Sequence, residues 1–549
     1  MACCIHAEYN EPWRQNQSAK PAITLRFMGF RKFNASSFKK YPFAVQTGFV
    51  SLRFSCSRRL RHLRFLPKTL GWQLRVAALL TAAVCSQALS INANAQCTPT
   101  TYTWVGGNGD FQIAANWTPS RTTPSICDVL LFNSGTSVAP TGIPNNHEIG
   151  QWIVTNNTTV ILRSNALLWF SGRVLSDNTP IQTTSLQIDA GSVLDLGPSF
   201  NFRNRSTGCS VQISGTFRTA DLDGFSDGDF SAYRRIRNPN IVLNPGSTIE
   251  YAAASGTQYV TPRDDYRNLV FSGGATKVMT NTTRTAGTGN TVTITDGTVD
   301  AGTHTFGERT GTGNGPTNLV MTGGTFRLGK VTSSPTLPEL TGTYTLTGGT
   351  IELYGTDATR TQNLRENRIY NNVVINALAA NTSSDNGNAS HAGTITVNGT
   401  FDVNSPAVYG LSSTNIVDGP GTFRINTGAG LFYGHQNGIT TPACGTGAGC
   451  GNVRTANRSF AANSLYGFIG GLNMVSGNGM PANVSELIVR KTAGSDLVTL
   501  SGAVTVNVSA TFTRGLVVSS QTNLLTFGVG SSAIGASDNS YVQGPVRKE

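Results

Sequence analysis

A short unit recurs along most of this chain: an alternating run of residues, a tight turn containing Gly, then a second alternating run. Leu319-Val-Met-Thr-Gly-Gly-Thr-Phe-Arg-Leu328 and Tyr344-Thr-Leu-Thr-Gly-Gly-Thr-Ile-Glu-Leu353 are clear copies. Leu186 to Leu196, Val211 to Arg218, Val292 to Val299 and Ile395 to Val403 are others, and Val504 to Phe512 is a weaker member. Alternation at period two means that each strand buries one face and wets the other. Gly at the turn supplies backbone conformations that other residues resist. A unit this short cannot bury its apolar face alone, so copies must stack.

A longer repeat lies above the short one. Gly246-Ser-Thr-Ile-Glu-Tyr251 is followed by Thr257-Gln-Tyr259 and Tyr266-Arg-Asn-Leu-Val-Phe271. About one hundred residues later, Gly349-Thr-Ile-Glu-Leu-Tyr354 is followed by Thr361-Gln-Asn363 and Tyr370-Asn-Asn-Val-Val-Ile375. A weaker third pass runs through Gly421 to Ile425, Gly430 to Tyr433 and Glu486 to Val489. These features predict an all-β chain, a right-handed parallel β-helix or β-solenoid over residues 136–549. Thr and Asn are expected to form ladders on its outer faces, with Val, Ile, Leu and Phe stacked inside. Tandem β-sandwich repeats are the alternative, because short strands at intervals of roughly ten residues suit them as well.

Residues 96–135 form a separate unit. Trp104 and Trp117 flank a Gly-Asn turn, Pro119 and Pro124 break any helix, and Asp128 leads the apolar strand Val129 to Phe132. The two tryptophans are expected to cover the open end of the core, with a carbohydrate platform as the functional alternative. Trp152 and Trp169 sit in strand-like runs and are expected in the core.

The beginning of the chain reads differently. Arg75 opens an apolar run to Val84, and Ala93-Asn94-Ala95 offers a small-x-small cleavage site before Gln96. Residues 71–95 therefore read as a secretory signal peptide. Residues 1–70 read as a start assigned too far upstream (Met28 is the internal Met before the run) or as a long presequence. The net charge of +12 is confined to this region: residues 1–95 hold 14 Lys and Arg against two acids, and the remainder balances 27 against 27. A neutral remainder lacks the electrostatic footprint of a nucleic-acid binder. No later apolar run is long enough to span a bilayer as a helix, so no integral membrane segment is expected after cleavage.

Five cysteines follow residue 95. Cys444 and Cys450 bracket a Gly-rich loop and are expected to pair; Cys97 with Cys127 is the second candidate pair, leaving Cys209. Export permits both bonds.

Candidate chemistry is sparse. Arg263-Asp264-Asp265 with Arg267 is the best local acid and base set for glycan cleavage, which needs two carboxylates at a set separation. A solvated turn explains it more simply. Asp221, Asp223, Asp227 and Asp229 form an oxygen-rich loop suited to calcium, yet the closing Glu of a twelve-residue calcium loop is missing, since position 232 is Ala. His147, His304, His391 and His435 are dispersed and form no local metal motif. No phosphate loop, dinucleotide fingerprint or nucleophile elbow is present. No catalytic residue and no resident cofactor is expected; calcium is the one candidate ion.

Three motif sets carry a resemblance. They are Trp104-Val-Gly-Gly with Asn116-Trp-Thr-Pro119 and Asp128 to Phe132; Tyr266-Arg-Asn-Leu-Val with Tyr370-Asn-Asn-Val-Val; and Asn523 to Gly528 with Ser540 to Lys548. Together they resemble the large cell-surface β-strand-repeat proteins of the Bacteroidetes, which commonly end in a C-terminal sorting domain read by the type IX secretion system. The resemblance spans most of residues 102–549. It says little about function; the first functional expectation, which needs no catalytic residue, is a secreted or surface-displayed structural or adhesive protein meeting extracellular glycans or surface components. The chain departs from the class by ending at Glu549 without that domain, which implies either a fragment or free secretion. A carbohydrate-binding module using an exposed aromatic strip is the second functional expectation. A β-helical polysaccharide lyase or glycoside hydrolase is the third.

Overall fold

A computed structural model describes residues 98–170, 184–204, 210–225, 236–237, 241–355, 357–445 and 447–549. All of them lie in the unit Asn92–Glu549. This unit is a parallel β-solenoid of about 17 turns, as the repeats predict. The signal-peptide reading of residues 71–95 and the presequence lie outside the described residues.

Successive strands return to one of three sheets in rotation. In the first coils His147–Ile149, Gln151–Val154 and Thr159–Ile161 begin the cycle, and Leu167–Phe170, Thr184–Ile188 and Val193–Asp195 repeat it in parallel register. The coil alternates with the strand period, so inward residues stack in columns. One column runs Val138, Val160, Leu194, Phe217, Ile249, Leu269, Val292, Leu319 and Tyr344, each opposite the next. All nine are buried. One connected core extends from Tyr102 to Phe527.

The predicted outer ladders are present. Thr257, Thr276, Thr298, Thr325, Thr350 and Asn372 stand in register on six successive strands of one sheet. At a neighbouring corner the Asn426 amide donates to Asn404 at 2.6 Å and Asn404 to Asn376 at 3.2 Å. β-Branched Thr suits a half-buried pleat, and stacked amides satisfy one another between coils.

The corner glycines explain how coils approach so closely. Gly273, Gly297, Gly324 and Gly349 occupy equivalent turns, all with φ between 68° and 76°. A Cβ on any of them would lie 2.5–2.7 Å from a backbone oxygen of the preceding coil. Only Gly meets both demands.

The longer repeat proves to be a pair of polar clamps. Gln258 is fully buried; its Nε2 donates to the Thr219 and Asp221 carbonyls, and its Oε1 accepts from Ala253 N. Gln362 does the same with Leu328, Lys330 and Gly355. Eight residues after each, Tyr266 and Tyr370 donate their hydroxyls to the carbonyls of Thr261 and Arg365, both at 2.8 Å. The third pass differs from the sequence expectation. Its counterpart is Arg458 with Tyr466: the Tyr466 hydroxyl donates to Ala461 O at 2.8 Å, and the buried Arg458 guanidinium donates to Val453 and Gly445 carbonyls. The clamp keeps its spacing while Arg replaces Gln, which hides it from a residue-identity match.

The N-terminal end is closed by the tryptophans. Trp104 and Trp117 are each 2% exposed and meet edge to face at 4.9 Å. Phe111, Phe132 and Trp152 complete the cluster. Thr101–Trp104 pairs in parallel with Val129–Phe132 and antiparallel with Trp117–Thr118. Beneath it the Arg121 and Asp128 side chains, each 2% exposed, pair at 2.7 Å. Arg121 also donates to Nε2 of His147, whose pKa burial and the adjacent guanidinium lower to about 4. Trp152 is in the core as expected, whereas Trp169 faces outward beneath the Arg203 guanidinium at 5.4 Å. Alternation decides this: Leu168 and Phe170 take the inward positions of that strand.

Cys444 and Cys450 are disulfide-bonded. Cys127 is also disulfide-bonded, and the candidate pairing with Cys97 involves a residue outside the described set. No helix among the described residues is long and apolar enough to cross a membrane.

Candidate functional site

The solenoid turns one polar row into a trough. Arg284 lies in Thr283–Thr285, whose two threonines are buried inward, so Arg284 points out. Its register partner on the next coil is Gly307, and Gly307 bridges to Glu339 on the one after. Gly307 lets the Glu339 coil pack closely against it, since a Cβ there would meet the Glu339 carbonyl at 2.7 Å. Arg309 and Arg365 stand on the same side and complete a cavity of about 510 Å³. Thr336 is shared with an adjoining cavity of about 310 Å³ lined by Asn363, Glu366, Asn386, Ser390, His391 and Asn415. Thr336, Asn363 and Ser390 are themselves register neighbours. Thr336 lies three residues before Glu339, so the two cavities run along neighbouring rows, each stepping about 4.8 Å per coil.

The carboxylates at the first cavity have partners on the chain, except that Glu339 Oε2 is buried without a hydrogen-bond partner. Glu308 Oε2 accepts from Thr317 N at 2.8 Å and Thr341 N at 3.1 Å, and Oε1 accepts from the Thr341 hydroxyl. Glu339 Oε1 holds Lys330 Nζ at 2.6 Å, and Lys330 also reaches Thr305 at 2.8 Å. The arginines are less engaged. Arg365 Nε donates to Pro338 O at 3.3 Å. Arg309 stands 3.9 Å from Asp264, with both side chains more than half exposed. Among the described residues Arg284 has no hydrogen bond or ion pair from its guanidinium.

The second cavity does not contain an activated nucleophile. His391 is 2% exposed, and burial lowers its pKa to about 4, so it is neutral. Its Nε2 faces the Ile416 carbonyl at 3.0 Å, an acceptor only, so Nε2 carries the proton. Nδ1 then accepts from the Tyr409 hydroxyl at 2.6 Å. Ser390 directs its proton to the Gly410 carbonyl at 2.8 Å, away from His391. The lining offers donors and acceptors for a hydroxyl-rich ligand, with no base poised on a nucleophile.

One wall of this cavity is a strap. Asn386 lines the cavity, Gly387 packs against Val408, and Val408 belongs to a separate apolar cluster with Phe432, Leu465, Ile469 and Ile488. Arg490 ties the strap down through Asp385 and the Thr382 carbonyl, with its guanidinium 5.0 Å from the Phe432 ring centre.

The residues singled out from sequence lie elsewhere. Arg263 pairs with Asp265 at 2.7 Å and with the Ile241 carbonyl, while Arg267 donates to the Leu243 and Ala286 carbonyls. This set is a self-satisfied corner; only Asp264 reaches toward the trough, through Arg309. Asp221 is buried and accepts from Asp223 N at 2.7 Å, forming a local turn. Asp227 and Asp229 lie outside the described residues, and no cluster able to hold a metal ion occurs among those described. The four histidines remain apart, His147 in the cap and His391 at the trough. The described aromatics form no exposed strip: Tyr259 and Tyr541 are isolated at 46% and 41% exposure. Sequence reasoning missed the trough because its arginines are spread from position 284 to 365 and meet only through coil stacking.

No protein-family model, curated protein or solved structure matches this chain.

Proposed function

We propose that this chain is a secreted or surface-displayed structural and adhesive β-solenoid. The observation that carries the reading is the uninterrupted stacking of coils around one core from Tyr102 to Phe527, with a trough on its outside that offers hydrogen-bond donors and no paired nucleophile and base. Such a body serves as a rigid spacer and presents a long lateral surface. Residues 71–95 and the resemblance to Bacteroidetes surface proteins support export. Fractionation with intact-mass analysis tests it. The expected species begins at Gln96 and lies in the medium or on the cell surface, open to external protease. A cytoplasmic protein retaining residues 1–95 would refute it.

A second reading, glycan binding, is favoured by the trough itself. Its lining of Arg, Thr, Asn and Ser suits hydroxyl-rich and acidic groups, in place of the aromatic platform considered from sequence.

A further inference from the structure

We infer that the trough from Arg284 to Asn415 is a binding site for an acidic polysaccharide, with uronate carboxylates seated on Arg284, Arg309 and Arg365. This rests on the proposal of an extracellular role and names the ligand class of that surface.

The charge state of the trough carries the inference. A planar guanidinium recognises a carboxylate through two parallel hydrogen bonds. At other outward positions that demand is met internally, where Arg163 holds Asp195 at 3.0 and 2.7 Å and Arg327 bridges Asp300 and Glu352, while others such as Arg454 and Arg514 donate to backbone carbonyls. At the trough Glu308 accepts from backbone N–H groups and Glu339 holds Lys330 through Oε1 alone, and neither pairs with an arginine. Arg284 and Arg365 therefore keep guanidinium donors with no carboxylate of the chain upon them.

Geometry selects a polymer. Arg284 and Arg309 lie on adjacent coils, Glu339 on the next and Arg365 on the one beyond. A ligand lying across these coils passes at Thr336, which lines both cavities, onto the neighbouring row of Asn363 and Ser390 with Asn415, which supply hydroxyls and amides for uncharged sugar positions. Glu366 in the second cavity disfavours an anion there, so the acidic end of the bound segment lies over the arginines. A nucleic acid fits less well, because residues 96–549 carry no net positive charge and no Phe, Tyr or Trp lines the trough for bases to stack on.

The test uses the chain from Gln96 to Glu549 with polygalacturonate, uncharged dextran and duplex DNA, in affinity electrophoresis and titration calorimetry at low and raised salt. Polygalacturonate is expected to bind, more weakly as salt rises, with dextran and DNA failing to compete. Arg284→Gln and Arg365→Gln are each expected to weaken it roughly ten-fold, and Arg424→Gln, on another face, to leave it unchanged. Melting temperatures check that each variant is folded. No polygalacturonate binding, equal binding of dextran, or full binding by the double variant would each overturn the inference. DNA binding with the same arginine dependence would replace the glycan with a nucleic acid. A surface-located protein that ignores polygalacturonate sinks this inference alone, whereas a cytoplasmic location sinks the extracellular reading whatever the protein binds.

Discussion

Two outward rows of the solenoid use the same residue types and reach opposite electrostatic ends. On the ladder sheet Asp300, Arg327 and Glu352 stand on consecutive strands, and Asp402 and Arg424 follow after Val374. Each arginine there meets a carboxylate. In the trough the row runs Arg284, Gly307, Glu339, and the acids are diverted to Lys330 and to backbone N–H groups. Alternation of sign along a row therefore does not decide whether a face is spent or available. What decides it is whether each acid has a closer rival for its lone pairs.

The widest effect should come from what both rows share. Phe326 is fully buried in the column behind the ladder sheet, at 5.2 Å from Phe306 on the trough strand. Phe326→Ala should cost about 3–5 kcal/mol and lower the melting temperature, with ladder and trough losing amide protection together. Loss confined to one face would mean that the coils do not melt as neighbours.

Acid should separate the two. His391 lies behind the trough, and burial lowers its pKa from 6.5 to about 4. The unfolded chain takes up this proton below pH 6.5 and the folded chain only near pH 4. Its contribution is thus complete above 6.5 and is lost as the pH falls toward 4, by about 3 kcal/mol. Hydrogen exchange on either side of that window should loosen residues 389–416 before the ladder strands 298–353. Replacing His391 with Gln should flatten that difference.

A smaller loss is expected at the clamp between them. Gln362→Ala strands the Leu328 and Lys330 carbonyls and the Gly355 N–H, at about 2 kcal/mol. Denaturant unfolding of this variant beside Gln258→Ala would show whether the two clamps are equivalent. The least effect belongs to Arg327→Ala. Its ion pairs are partly exposed, so about 1 kcal/mol or less should be lost, with polyuronate binding intact. A large loss would show that the ladder is more than a screened surface network.

Much of the fold was legible because its rules are local. Alternation marked the strands, paired glycines marked the corners, and Trp104 and Trp117 marked the closed end. The Cys444–Cys450 bond followed from a short Gly-rich span. The errors have one physical origin, which is that facing and pairing are set between coils. Trp169 was expected inside because its strand is apolar throughout, yet Leu168 and Phe170 hold the inward phase. The third repeat was sought by residue identity and was carried instead by Arg458 and Tyr466 at constant spacing. The trough was invisible for the same reason: nothing near Arg284 in sequence announces Arg365.

The register of the trough floor is the most direct point of attack, and paired cysteines read it. Thr336 and Asn363 are in-register neighbours on adjacent coils, both pointing outward. Parallel strands hold such Cα atoms about 4.8 Å apart, within the range a disulfide spans. Under mild oxidation Thr336→Cys with Asn363→Cys should cross-link rapidly, seen as one joined peptide by mass spectrometry. Thr336→Cys with Leu364→Cys, whose side chain points into the core, should not. Cross-linking of the second pair, or of neither, would contradict the stacked parallel coils on which the trough depends.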